Sequence, residues 1–147
     1  MNKDITEIIK KEGNSHKWVY RTKNGLDVTC YWKRNDVLGV LYGYISISPT
    51  SKLYNEDKLY NLSVHGGITY KGINKDDVFE KNYFVIGFDC GHSGDLVPYM
   101  DNSYKSPSSD EYRDRDYVES ECENLAEQVS KFDIGAIRSK KLKKILK

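Results

Sequence analysis

Asp89, His92 and Asp95 stand at three-residue steps on the segment Ile86-Gly-Phe-Asp-Cys-Gly-His-Ser-Gly-Asp95. A histidine titrates near neutral pH, and one flanked by two carboxylates can run general acid–base chemistry or ligate a divalent metal. A metal would need a further donor, and His65 in Val64-His-Gly-Gly-Ile-Thr-Tyr70 is the obvious one. The same carboxylates also suit a structural role, because Asp after a strand or a glycine commonly caps turn amides. Gly66 and Gly67 either expose backbone amides to an anion or supply positive φ for a tight hairpin. A third group is Arg113-Asp-Arg-Asp-Tyr117. There an arginine fork at a helix start either holds phosphate or carboxylate, or forms a solvated face.

Cys90 beside His92 resembles a nucleophile with its base, yet catalytic Cys/His pairs usually come from different elements. Strand alternation places Phe84, Ile86, Phe88 and Cys90 on one face, so Cys90 is expected in the core. Cys122 takes the same reading on the apolar stripe of a helix. The common fingerprints GxGxxG, GxxxxGK[ST], GxSxG and HExxH are absent from the sequence.

The elements that must position these groups are legible as follows. Ile5, Ile8 and Ile9 predict a short amphipathic helix stopped at Gly13-Asn14. Lys17–Thr22 and Leu26–Lys33 predict a hairpin about Asn24-Gly25. Strands follow at Val37–Ser48, Asn61–Val64, Ile68–Lys71 and Tyr83–Asp89, with Gly87 beside Asp89 leaving open space on one face. Pro98–Glu111 reads as a mobile polar loop. Tyr112–Lys131 reads as a helix in which Tyr117, Cys122 or Glu121, Leu125 and Val129 recur at helical steps and Val118 and Ala126 complete the stripe, and a last short helix spans Ile137–Leu146. The expected fold is α+β: one domain over residues 1–147, with an antiparallel sheet packed against one long and one or two short helices.

The 147 residues carry a net charge of +1 and 12% aromatic residues, so no whole-molecule field draws the chain to nucleic acid or membrane. No apolar run approaches the roughly 20 residues of a membrane span. Three cysteines without a CxxC pair fit reduced thiols and a cytoplasmic setting. Acidic residues Glu119, Glu121 and Glu123 argue against nucleic acid on the long helix. The basic end from Arg138 to Lys147 is the exception: it suits a phosphate backbone, an acidic partner or a solubilising tail.

Three ordered blocks, His65-Gly-Gly-Ile-Thr-Tyr70, Gly87-Phe-Asp-Cys-Gly-His-Ser-Gly-Asp95 and Tyr112-Arg-Asp-Arg-Asp-Tyr-Val-Glu-Ser-Glu-Cys122, resemble a widespread family of small bacteriophage and prophage proteins. Its blocks typically read HGGLTY, FGFDCAHAGD and YRDxxYVxxECxxLAxQ. The resemblance covers about residues 43–129, and Gly91 and Ser93 replace the more usual alanines. It implies a phage accessory protein acting against host defence and supplies no catalytic residues.

The expectation is therefore a binding protein in the host cytoplasm rather than an enzyme. It would either sequester a nucleotide-type immune signal or block a defence protein directly. The expected ligand-binding residues are His65, Gly66, Gly67, Thr69, Tyr70, Asp89, His92, Asp95 and Arg113, with Tyr42, Tyr44 or Tyr70 stacking on a base. A homo-oligomer is expected, without cofactor or resident metal. The alternative is a small hydrolase using His65, His92, Asp89 and Asp95, around a metal or without one.

Overall fold

The computed structural model describes residues 3–59, 61–100 and 110–145. The 101–109 stretch of the expected mobile loop and the basic side chains from Arg138 to Lys147 lie outside the described residues. Helix α1 (Lys3–Glu12) leads into strands β1 (Ser15–Arg21), β2 (Asp27–Arg34), β3 (Leu41–Ile47), β4 (Tyr70–Ile73) and β5 (Phe84–Asp89), followed by helix α2 (Arg115–Ile145). The strands form one antiparallel sheet in the order β1-β2-β3-β5-β4, with α2 packed across β2 and β3. This is the expected α+β architecture. Among the described residues no helix is long and apolar enough to cross a membrane.

The Asn24-Gly25 hairpin forms as its sequence dictates. Gly25 takes φ of +84°, and the Thr22 amide donates to the Leu26 carbonyl at 2.8 Å. Period-two alternation then sends Trp32, Ile45, Ile47, Phe84, Ile86 and Phe88 to the helix side of the sheet. There they meet Val118, Cys122, Leu125, Ala126 and Val129 of α2, all buried. Burying such side chains stabilises by about 1.5–3 kcal/mol each. Cys90 and Cys122 lie in this core as the alternation and the helical stripe require.

Three expected elements differ, each for a local reason. The strand expected from Val37 starts only at Leu41, because the Asn35 Oδ1 accepts from the amides of Val37 and Leu38 and turns the chain there. Asn61–Val64 is not a strand. Its backbone runs along α2 instead: the Ser63 amide donates to Gln128 Oε1 at 2.7 Å and Gln128 Nε2 donates to the Ser63 carbonyl at 2.8 Å. Side-chain amides thus satisfy groups that a sheet ladder would otherwise take. The helix expected from Tyr112 starts at Arg115, where Asp114 caps it by accepting from the Tyr117 amide at 2.9 Å. It then runs unbroken to Ile145, joining the two helices expected at Tyr112–Lys131 and Ile137–Leu146, of which Leu146 lies outside the described residues.

Two polar devices fasten the sheet and helices together. Glu119, Glu123 and Glu127, one turn apart on α2, accept from Trp32 Nε1 (2.8 Å), Trp18 Nε1 (3.0 Å) and Tyr20 Oη (3.1 Å) on the sheet. Each aromatic ring buries its body and hands its single polar atom to a carboxylate. At the start of α2, Glu12 closes α1 onto the fold. Its Oε2 accepts from the Arg115 amide at 2.6 Å, and its Oε1 pairs with Arg34 at 3.0 Å. The Arg34 side chain is 3% exposed and also donates to the carbonyls of Gly13 and Gly39 and to Tyr112 Oη. Arg34→Met is expected to destabilise the chain by about 3–5 kcal/mol, since Glu12 is left buried without its counter-charge. A urea midpoint reads this, and adding Glu12→Gln to Arg34→Met should recover much of the loss.

Candidate functional site

Just beyond the end of β5 the chain turns through His92-Ser93-Gly94, where the Asp95 amide donates to the His92 carbonyl at 2.9 Å. This turn points the Asp95 carboxylate inward, and its side chain is 1% exposed. Asp95 Oδ2 meets His65 Nε2 at 2.8 Å and accepts from the His92 amide at 3.1 Å, while Oδ1 accepts from Arg113 Nε at 3.0 Å. One carboxylate thus gathers the 65–67 turn, its own loop and the lead-in to α2. A parallel bridge between Asp95 and Glu111 adds backbone hydrogen bonds beside it.

Burial by itself raises the pKa of Asp95, but hydrogen bonds from His65, Arg113 and the His92 amide outweigh it and hold the carboxyl below its ordinary value. With Asp95 ionised, His65 donates to it through Nε2. Its other ring nitrogen, Nδ1, shares a hydrogen bond with the Tyr117 hydroxyl, 2.7 Å away. Carboxylate, imidazole and hydroxyl stand in the order of a nucleophile relay. The hydroxyl is a poor nucleophile, however. Burial and the Glu121 carboxylate push the Tyr117 phenol up, so it stays protonated at neutral pH. Its ring is also covered by the Arg113 guanidinium, 4.9 Å from the ring centroid.

The sequence brought His65, Asp95 and Arg113 together as candidates, and they do meet here, in a network whose donors and acceptors answer one another. Asp89 and His92 form a second, more exposed pair. Asp89 Oδ1 caps the Gly91 amide at 3.0 Å, Oδ2 accepts from Thr69 Oγ1 at 3.2 Å, and His92 Nε2 lies 3.2 Å from Oδ1. That last contact lacks hydrogen-bond alignment, leaving Nε2 buried and unbonded. Gly66 permits the arrangement. At φ of +68° it lies against the His92 ring, where an added Cβ would come within 2.3 Å. Gly67 shares the turn with positive φ and donates to the Val64 carbonyl at 2.9 Å. Asp89, His92 and Asp95 do not become a ligand set, because Asp95 turns away from the other two into its own network. Among the described residues no three His, Cys, Asp or Glu side chains group to hold a metal ion.

The thiols are equally committed to packing. Cys30, Cys90 and Cys122 are buried, and burial pushes all three up, Cys30 to about 12. Thiolate is the nucleophilic form, so none of them is poised for attack at neutral pH.

A different constellation occupies the sheet face turned away from α2. Register places Lys17, Tyr31, Tyr44, Gly87 and Tyr70 on one rung across all five strands. The rings of Tyr31 and Tyr44 are 6.2 Å apart, and Tyr44 meets Tyr70 edge-on at 5.7 Å. Gly87 makes room for this, because a Cβ there would sit 2.5 Å from the Tyr44 ring. Asp89, on the next rung opposite Tyr42, borders the tyrosines, so the 89–95 loop and the rung share one rim.

Over the rung folds the segment 74–83. The Asn74 amide closes it on the Tyr83 carbonyl at 2.7 Å, and the buried Asn74 Nδ2 donates to the carbonyls of Asp76, Phe79 and Glu80. Glu80 docks the flap on the sheet by accepting from Thr29 Oγ1 and, at 3.0 Å, from Ser46 Oγ. Between flap and sheet lies a cavity of about 180 Å³ lined by Tyr31, Lys33, Tyr44, Tyr70, Asp76 and Phe79, among others. Sequence reasoning found Tyr44 and Tyr70 but missed Tyr31, Lys33 and the flap. The period-two pattern of β2 carried a signal for the first two, since Tyr31 and Lys33 share its outer face.

Compared with known proteins, the chain matches no family model, no curated protein and no solved structure. Asp95→Asn is expected to lose about 3–5 kcal/mol of stability, as removing one partner of a buried ion pair does. The folded pKa of Asp95 lies below its unfolded value near 3.9, so its contribution is full above about pH 4 and is lost as pH falls through the folded value. The gap in stability between wild type and Asp95→Asn should therefore narrow on acidification. A gap of the same size at about pH 7 and about pH 3 would contradict an ionised Asp95.

Proposed function

We propose that this chain works by binding rather than by catalysis, as a phage accessory protein that sequesters a nucleotide-type signal of host antiviral defence in the host cytoplasm. The rung of Tyr31, Tyr44 and Tyr70 beneath the 74–83 flap carries the reading. Aromatic rings presented by a rigid sheet are a stacking platform for a base, because every base has a π-face. The cavity is smaller than the roughly 300–1,000 Å³ of pockets that enclose a drug-sized ligand, which suits one ring system with the rest of the molecule outside. Thr69 and Asp89, hydrogen-bonded to each other at 3.2 Å, stand beside the rung and outside the cavity lining. The internal saturation of the Asp95 network and the burial of the thiols support binding over bond cleavage. The biological setting follows from the phage-family resemblance of the three sequence blocks.

Equilibrium binding to a panel of linear and cyclic nucleotides tests this reading, followed by denaturation and mass analysis of the released ligand. The expected result is a bound nucleotide recovered intact. Tyr70 is exposed, so Tyr70→Ala should leave the melting temperature unchanged while weakening binding about tenfold, within the range of about 1–3 kcal/mol per stacked base. Cleaved ligand would favour the hydrolase alternative, and no binding across the panel would overturn the proposal.

A further inference from the structure

The groove also contains a charge that discriminates among ligands carrying an aromatic ring. Lys33 lies at its wall, with Nζ 5.7 Å from the centroid of the Tyr44 ring. Among the described residues none of the ion pairs involves Lys33. Lys17 follows on the same sheet face, directly across from Tyr31 on the edge strand β1. Tyr31, two residues before Lys33 on β2, thus has a lysine beside it along the strand and another across it.

Resting on the nucleotide reading above, we infer that the groove takes its ligand as a phosphorylated base, with the ring between the tyrosines and the flap and the phosphate against Lys33. Two observations favour this class over its neighbours. An aromatic cage free of cationic side chains would suit a quaternary or methylated ammonium, but an ammonium already sits over Tyr44 and repels a second cation. The cavity has room for one ring system, so the remainder of the ligand must leave through the mouth. On the β2 side that path leads over Lys33 toward Lys17. The lysine supplies a point charge with three donors, the form in which lysine recognises phosphate.

The flap gives the ring site its upper wall and its selectivity. Phe79 meets the Tyr31 ring edge-on at 6.1 Å and closes one end. Asp76 lines the roof, with one carboxylate oxygen accepting from the Val78 amide at 3.0 Å. As an acceptor facing the ring site, Asp76 favours a base edge that bears an amino group.

The test compares four nucleoside 5′-monophosphates with the matching nucleosides and with inorganic phosphate, by calorimetry at low salt, on wild type, Lys33→Gln and Lys33→Arg. Wild type is expected to bind at least one monophosphate about tenfold more tightly than its nucleoside, the scale of a charge-assisted contact. Lys33→Gln should erase that preference without changing nucleoside affinity, and Lys33→Arg should retain it. Raising the salt should erode the monophosphate advantage alone. Equal affinity for nucleoside and monophosphate in wild type would overturn the phosphate assignment and leave the base-binding reading standing. Inorganic phosphate binding as tightly as any monophosphate would overturn the ring assignment. Failure of every nucleoside and nucleotide to bind would remove both readings together.

Discussion

The fold near its candidate site depends on one buried carboxylate. Asp95 is almost fully removed from water yet charged, a state tolerated only because His65, Arg113 and the His92 amide surround it. These partners come from three separate stretches of chain. Satisfying the charge therefore fixes the 65–67 turn against the strand-end loop and against the lead-in to α2. His65 passes the constraint on to Tyr117, with whose hydroxyl it shares a hydrogen bond, and Arg113 covers that same ring. The result resembles a catalytic relay in the order of its groups and differs from one in its energetics. Its hydroxyl is a half-buried phenol held protonated, and its charges are matched within the protein.

The sheet then has two faces with opposite tasks. The helix-side face carries the buried core, and the polar atoms of the two tryptophans and Tyr20 go to three glutamates one turn apart on α2. This pairing accounts for Glu119 and Glu123 of the acidic run on the helix, while Glu121 accepts from the His65 amide. Glu119 and Glu123 serve as acceptors for aromatic donors, so their charge is part of the sheet–helix contact. The outer face keeps its aromatic rings in reach of solvent, with Lys17 and Lys33 beside them. An internally satisfied layer thus lies beneath an aromatic, partly open one.

Local chemistry was legible wherever a group's neighbours in space are its neighbours in sequence. The Asn24-Gly25 turn, the alternation along Phe84–Asp89 and the stripe of Val118, Cys122, Leu125 and Val129 each follow from a short-range rule, and each forms. Illegible were the contacts in which a side chain replaces a backbone partner. Gln128 and Glu121 take the 63–65 backbone away from the sheet, Asn35 delays β3, and Glu12 caps a helix more than a hundred residues later. Such contacts leave no periodic trace, because they depend on a single donor or acceptor arriving from elsewhere in the chain.

The division at the site follows the same line. The sequence alone determined which residues carry chemistry, that Cys90 turns inward, and that Gly87 and Asp89 share the face opposite the core, because a strand's period of two needs no partner to operate. Only the tertiary structure decided that Asp95 leaves Asp89 and His92 to join His65 and Arg113, and that Tyr31, Tyr44 and Tyr70 stand on one rung under a flap. Register and burial are properties of paired elements. A one-residue slip in β2, β3 or β4 would have sent that strand's ring to the other face.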